Sequence, residues 1–322
     1  MLIQDQHPLN RSIMVSVLGA PNVGKSTMIN YLLGTDLSIV TKKPQTTRNK
    51  FHCVLTIDRT EIVLVDTPGL HKSNKEFNKR LNDQAREGTE GADLNLLLVD
   101  INMEILPQFQ NFKDTFEKEL GKSWVVFTKS DLVEDNNSLP LEEVFEKAKE
   151  FFPALEKYFV VSSKTEENMN DLTGAIVDEA QEGPHLYPKG DISNKNERFF
   201  ATEYIREQAF ELLKDEVPYE VAVVIDDYKD FDNKQTGERK AHICASILVN
   251  RPSQRAIVVG RQGSMIKEIG TKSREKIEGL TGAKVFLNLH VKVAPKWFKN
   301  NMILEQIGLP RGVNSNRVWR AK

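Results

Sequence analysis

The run SIMVSVLGA, residues 12–20, is apolar, β-rich and stops at glycine, and GKSTMINYLLG then repeats its apolar residues at helical spacing as far as Gly34. That order predicts strand, loop, helix. Further apolar runs follow in EIVLVDTPG, DLNLLLVD, SWVVFTKSD and YFVVSSK, separated by amphipathic stretches such as LEEVFEKAKEFF. Strands rich in Val, Ile and Leu that alternate with helices predict an α/β domain with a mostly parallel sheet and helices on both faces. Ligands of such sheets bind at the carboxyl ends of the strands, and each strand here ends in a polar motif.

The periodicity lapses at QEGPHLYPKGDISNKNE, residues 181–197, where Pro, Gly and Asn collect. The chain is therefore divided into a first domain over 1–182, a linker over 183–197 and a second domain over 198–322. The second domain opens with the helical pattern RFFATEYIREQAFELLKDE. Two strand-like runs, YEVAVVIDDY and AHICASILVN, follow on either side of the polar turn KDFDNKQTGERK. A glycine loop, the helix SMIKEIGTKSREKIEGL and the strand AKVFLNLHVKV complete an α+β unit, and the tail from Arg311 is expected to be weakly structured.

A chain of 322 residues suits two domains, and 39% hydrophobic residues can fill their cores. No apolar run reaches the length of a membrane-spanning helix. MLIQDQHPLN carries no export signal and Cys53 and Cys244 offer no disulfide framework, so a reducing cytoplasm is expected. The net charge of −2 hides an asymmetry: residues 251–322 hold 15 Lys and Arg against 4 Asp and Glu, a net +11, which leaves −13 on the first 250. A basic end on an acidic body points to a polyanionic partner.

Gly19, Ala20, Pro21, Asn22, Val23, Gly24, Lys25, Ser26 and Thr27 contain the pattern G-x-x-x-x-G-K-S/T between a strand and a helix. Such a loop turns backbone N–H groups toward phosphates, Lys25 neutralises the β and γ oxygens, and Ser26 offers its hydroxyl to Mg²⁺. Asp66 ends a strand in DTPG, where a carboxylate holds Mg²⁺ through water and Gly69 lets the backbone approach the γ-phosphate. TKSD, with Thr128, Lys129 and Asp131, selects the base. Guanine's N1–H and N2–H both donate to the Asp131 carboxylate, while adenine lacks that pair, a mismatch that commonly discriminates by about 10⁴–10⁵. Lys129 is expected to lay its stem along the base plane. Ser162, Ser163 and Lys164, after the next strand, are placed to support the guanine. The predicted ligands are thus GTP/GDP and Mg²⁺, and the reaction is GTP hydrolysis.

Three G-x-x-G segments occur: GTEG at 88–91, GRQG at 260–263 and GLTG at 279–282. GTEG carries an acid that repels phosphate, and GLTG reads as a helix cap. GRQG is basic and leads into a helix bearing Lys267, Lys272 and Arg274, the arrangement of a KH domain, whose loop clamps about four nucleotides. Gly260, Arg261, Gln262 and Gly263 are expected to hold RNA backbone. Ile257, Val259, Met265, Ile266 and Ile269 offer an apolar groove for unpaired bases, with plain core packing as the alternative for most of them.

With GAPNVGKST, KPQTTR, DTPGLH, TKSD and SSK, then IVVGRQGSMIKEIG and VKVAPKW, the chain resembles the Era family of ribosome-assembly GTPases over nearly its whole length. The resemblance implies a P-loop GTPase domain followed by a KH-like domain of type II. It also implies a switch threonine in QTTR that binds Mg²⁺ while the γ-phosphate is present, Thr47 being preferred to Thr46. The implied partners are the 3′ end of small-subunit ribosomal RNA and the small ribosomal subunit. Many relatives have Asn where this chain has Thr128, so weaker bracing of the phosphate loop is expected. Leu70 stands where Ras-like GTPases carry a glutamine, and a leucine cannot orient water, so slow hydrolysis is expected. The family suggests a monovalent cation, K⁺, held by Asn22. With Lys25 and Thr47, Asn22 then completes the catalytic set. A monomer is expected, and peripheral contact of the basic end with a membrane is left open. The rival readings are an RNA-binding protein with a vestigial nucleotide site and a GTPase of membrane transport. His71 is read as a residue of a solvated loop.

Overall fold

The structure, a computed structural model, describes residues 6–41, 43, 46–71, 76–116, 120–133, 140–232 and 238–309. Pro44 and Gln45 of KPQTTR, the middle of the 229–240 turn and the tail from Arg311 lie outside the described residues. The chain divides into two compact units: Met1–Lys72 with Gln84–Asn196, and Ser73–Asp83 with Glu197–Lys322.

The first unit contains strands β1 (Arg11–Gly19), β2 (Phe51–Ile57), β3 (Thr60–Asp66), β4 (Leu94–Asp100), β5 (Ser123–Thr128), β6 (Leu155–Val160) and the two-residue β7 (Gln181–Glu182). Its helices are α1 (Lys25–Leu33), the end of α2 (Glu76–Glu87), α3 (Ile105–Thr115), α4 (Leu141–Phe151) and α5 (Met169–Glu179). The sheet runs β2-β3-β1-β4-β5-β6. β1 is parallel to both β3 and β4, so the order reverses there. Every residue of β3, β4 and β5 is buried, which is why these strands read as continuous apolar runs. In-register pairing sets Val17 beside Asp66, Gly19 beside Leu98 and Asp100 beside Thr128, so the polar strand ends share one edge of the sheet.

β2 has no counterpart among the sequence-derived strands. It is the antiparallel outer strand, joined to β3 through Asp58, whose φ of 53° is a left-handed turn without glycine. The expected linker also differs from the sequence reading, because it is tied to the first unit. Val54 N–H donates to Ile192 O (2.9 Å), His52 N–H donates to Asn194 Oδ1 (2.9 Å), and the Glu61 carboxylate accepts from Leu186 N–H (2.6 Å) and Tyr187 N–H (3.2 Å). These contacts pair the outer edge of β2 and cap Glu61. A segment without periodicity still satisfies its backbone against a strand edge.

The second unit consists of α6 (Glu197–Leu212), β8 (Ala222–Asp232), β9 (Arg239–Val249), α7 (Pro252–Val259), α8 (Ser264–Thr281), β10 (Lys284–Val293) and α9 (Asn301–Gln306), together with the start of α2. Its sheet runs β10-β9-β8, with β9 parallel to β10 and antiparallel to β8. Ala241, Ile243, Ala245 and Ile247 alternate along β9 onto the buried face, against which α6 and α8 pack. Within this unit Arg80 donates to Leu309 O (2.9 Å) and to Asn301 Oδ1 (2.7 Å), and Phe77 meets Trp297 edge-on. Among the described residues no helix is long and apolar enough to cross a membrane.

Candidate nucleotide and nucleic-acid sites

A cleft of about 570 Å³ opens at the carboxyl edge of the first unit's sheet. Asn22 (φ 61°) and Gly24 (φ 105°) bend the loop between β1 and α1 through the left-handed region. Gly19 and Gly69 are required for a different reason, which is space. A Cβ at Gly19 would meet Val23 Cγ1 at 2.7 Å, and one at Gly69 would meet Pro21 N at 2.8 Å. Pro21, Val23, Ser26 and Thr27 also line the cleft. Lys25 is buried, and its ammonium donates to Gly19 O (3.0 Å) and Ala20 O (2.9 Å). Burial lowers its pKa to about 8, with the Asp66 carboxylate opposing that shift.

Ser26 Oγ and Thr47 Oγ1 lie 3.2 Å apart. Thr46 turns back into its own loop, donating to Lys43 O (2.8 Å) and meeting Thr41 Oγ1 at 2.9 Å. Asp66 is fully buried and accepts from the Ser38 hydroxyl. The Asn30 side chain fixes Ser38 through 2.7 Å bonds to its N–H and C=O. Ser38 is a site residue that the sequence reading missed, since a lone serine in a loop carries no pattern.

At the other end of the cleft, Asp131 Oδ1 accepts from Ser162 Oγ at 2.8 Å, and Lys164 Nζ stands 3.5 Å from Oδ2. The serine bond and the lysine charge hold this carboxyl below its usual range. Ser162 is itself placed by the N–H groups of Lys164 and Thr165, while Ser163 turns toward Met169. Lys129 Nζ is anchored on Asp100 Oδ2 at 2.6 Å, which stretches its stem along the cleft wall. Asp100, another missed residue, was legible only as the polar end of β4. Thr128, expected to brace the phosphate loop more weakly than an Asn would, still contacts it. Its hydroxyl donates to Val23 O at 2.7 Å, so the shorter side chain braces the phosphate loop directly.

Two residues after DTPG behave differently from the sequence reading or explain it. Leu70 is 2% exposed and packs with Leu18, Leu97 and Phe109, away from the cleft. His71 is half-buried rather than solvated, and burial together with the Lys25 charge lowers its pKa to about 4.

In the second unit α7 ends at Gly260, whose N–H donates to Ala256 O, and α8 starts at Ser264. Gly260 (φ 73°), Gln262 (φ 53°) and Gly263 (φ 79°) make the intervening turn, and a Cβ at Gly260 would meet Met265 N at 2.7 Å. Arg261 and Gln262 are exposed. A groove of about 310 Å³ lies between α8 and β10, lined by Ile266, Lys267, Gly270 and Arg274 against Val285, Leu287 and Leu289. Lys272 is not in the groove and pairs with Glu268 at 3.2 Å. Of the five apolar residues weighed between base groove and core, Ile269 is fully buried, Ile257 is 48% exposed, and Val259, Met265 and Ile266 are half-buried.

A phosphate loop with a guanine-type carboxylate in one unit, and a G-x-x-G turn leading into a helix that flanks a basic groove in the other, define a P-loop GTPase joined to a KH domain. Residues 14–129 match the family model for 50S ribosome-binding GTPases, and residues 216–298 match that for KH domains. GTPase Era of Carboxydothermus hydrogenoformans is 35% identical over 298 residues, covering 92% of this chain and 97% of the relative. Era of Thermotoga maritima is 36% identical over 300 residues, with 93% and 97% covered. A crystal structure of Era with MgGDPNP and nucleotides 1506–1542 of 16S ribosomal RNA superposes with a TM-score of 0.84 at 30% identity, covering 94% of this chain and 99% of that one. A variant of Aquifex aeolicus Era bound to GDP and AlF₄⁻ gives 0.82 at 31% identity, covering 93% and 99%. The chain belongs to the Era family of GTP-hydrolysing enzymes.

The residues present fit Mg²⁺. Two neighbouring ligands of an octahedral Mg²⁺ at about 2.1 Å stand about 3 Å apart, close to the Ser26–Thr47 separation. Ser26 and Thr47 would hold the ion directly and Asp66 through water. When bound, it neutralises charge on the β and γ oxygens. With a nucleotide bound, Lys25 would add positive charge at the same oxygens, Gly69 would admit the γ-phosphate beside Pro21, and Asp131 would orient the base.

Proposed function

We propose that this chain is a GTP-dependent switch that binds single-stranded small-subunit ribosomal RNA near its 3′ end during assembly of the small ribosomal subunit, and that it hydrolyses GTP slowly. The observation that carries the reading is the pairing of Ser26 with Thr47 in one unit with the basic Lys267–Arg274 groove in the other. A relative of the same architecture binds MgGDPNP and a 16S ribosomal RNA segment together. Thr47 reports the γ-phosphate through Mg²⁺, and Gly260–Gly263, Arg261, Lys267 and Arg274 grip the RNA backbone.

The test is RNA affinity of the whole chain with GDP and with a non-hydrolysable GTP analogue. The analogue should tighten RNA binding, and RNA should tighten analogue binding by the same factor. Equal RNA affinity in both nucleotide states sinks the switch. Asn22 lines the cleft beside the phosphate loop, and on the proposed reading it holds K⁺ there, so hydrolysis runs faster in potassium than in sodium. The protein works as a cytoplasmic monomer. Sedimentation with liposomes, set against an RNA gel shift, separates this reading from peripheral membrane attachment.

A further inference from the structure

The second unit's sheet buries one face against α6 and α8; on the opposite face the Ala222–Leu248 end packs with Trp297 and Leu304, while the far end stays exposed and is not used by the nucleotide and groove readings. On that face the register aligns Phe231, Lys240 and Lys284 in one row and Lys229, His242 and Phe286 in the next. Three rings therefore cross three strands, Phe231 diagonal to His242 and His242 directly beside Phe286. Phe231 and His242 have centroids 5.2 Å apart, and His242 and Phe286 5.3 Å apart. Phe231 is 44% and Phe286 64% exposed, and His242 is exposed between them.

Lysines fill the corners that the rings leave open. Lys229 pairs with the exposed carboxylate of Asp227 at 2.9 Å and Lys240 with that of Glu238 at 3.4 Å, solvent-side contacts that a phosphate can replace. Exposed rings with ammonium groups between them suit unpaired bases on a phosphate backbone. A second copy of this chain suits them poorly, because it would set lysine rows against lysine rows.

Phe286 gives the path. It stands on the edge strand β10 and also borders the groove that holds Lys267 and Arg274. A strand leaving that groove across β10 meets Phe286 first, then His242, then Phe231. We infer that the open face of the β8–β9–β10 sheet is a second, stacking site for single-stranded RNA, continuous with the groove over Phe286. This rests on the proposed RNA-binding reading of the groove.

The experiment compares two nested segments of small-subunit ribosomal RNA by competition binding, one of four nucleotides that fills the groove and one of twelve that extends past it. The wild-type chain should prefer the longer segment. Phe231→Ala with His242→Ala should weaken the twelve-nucleotide segment by about 10-fold or more and leave the four-nucleotide one unchanged, which also shows that the variant is folded. Lys267→Ala should weaken both. Should the double variant fail to fold, Lys240→Glu with Lys284→Glu decides, with an expected loss and shallower salt dependence on the longer segment alone. Wild-type affinity of either variant for the longer segment overturns the inference while leaving the groove intact. Failure of the wild-type chain to bind either RNA overturns the groove reading and this one with it.

Discussion

Ser26 and Thr47, 21 positions apart in the chain, bring their hydroxyls within 3.2 Å at the mouth of the nucleotide cleft. The first comes from the helix after the phosphate loop and the second from an extended loop before β2. Thr47→Ala should remove one Mg²⁺ ligand that matters only with a γ-phosphate. Affinity for a GTP analogue should fall about 10-fold or more, the cost of one charge-assisted contact, with GDP affinity nearly unchanged. Thr46→Ala should leave both constants as they are. Titration calorimetry with the two nucleotides checks both variants.

Lys25 titrates near pH 8 because burial disfavours its charge. A bound triphosphate restores that charge, so binding takes up a proton above pH 8. Nucleotide affinity should fall as pH rises past about 8, approaching tenfold per pH unit. Calorimetry in buffers of different ionisation heat should show proton uptake at pH 9 and little at pH 7. The sign for stability follows. Without nucleotide the unfolded chain binds the proton more tightly, so this group's contribution to stability increases between about pH 8 and 10.5.

Asp131 is held ionised by Ser162 and Lys164. Asp131→Asn should weaken GTP by about 10⁴-fold, since an amide cannot accept from both guanine donors. Xanthosine triphosphate, which presents an oxygen in place of the exocyclic amine, should regain much of that loss. Equal weakening of both nucleotides counts against the assigned base contact.

Gly69→Ala would press a methyl group to within 2.9 Å of Pro21 Cα. Overpacking of this kind costs about 1–3 kcal/mol. If Gly69 admits the γ-phosphate as assigned, the loss should be larger for a GTP analogue than for GDP. Fluorescent-nucleotide displacement measures the ratio.

Arg80 is 5% exposed and serves Leu309 O and Asn301 Oδ1 within the second unit. Arg80→Ala should destabilise that unit by about 2–3 kcal/mol, read by chemical denaturation. Arg80→Lys, with one ammonium in place of a fork, should recover only part of it.

The residues assigned to phosphate, metal and base were legible as motifs because that chemistry fixes residue type and spacing together: Gly19 to Ser26, then Asp66, then Asp131. β2 was not legible, since its turn uses Asp58 in a left-handed conformation instead of a glycine. Nor was the attachment of residues 183–196, which rests on Glu61 and on backbone groups that have no sequence signature. The contact of Thr128 was not legible either, because residue identity alone does not show reach, and its hydroxyl meets Val23 O at 2.7 Å. Ser38 and Asp100 act through partners remote in sequence. Proximity of that kind exists only after folding.

The burial of Leu70 limits what substitution can achieve. Installing the water-orienting glutamine of faster enzymes at this position would not aim an amide at the nucleotide. It would sink that amide among Leu18, Leu97 and Phe109, at about 1–3 kcal/mol of lost stability. On the proposed reading of slow turnover, quickening this molecular clock calls for a group brought in from outside the fold, since the packing around Leu70 leaves no room for one within it.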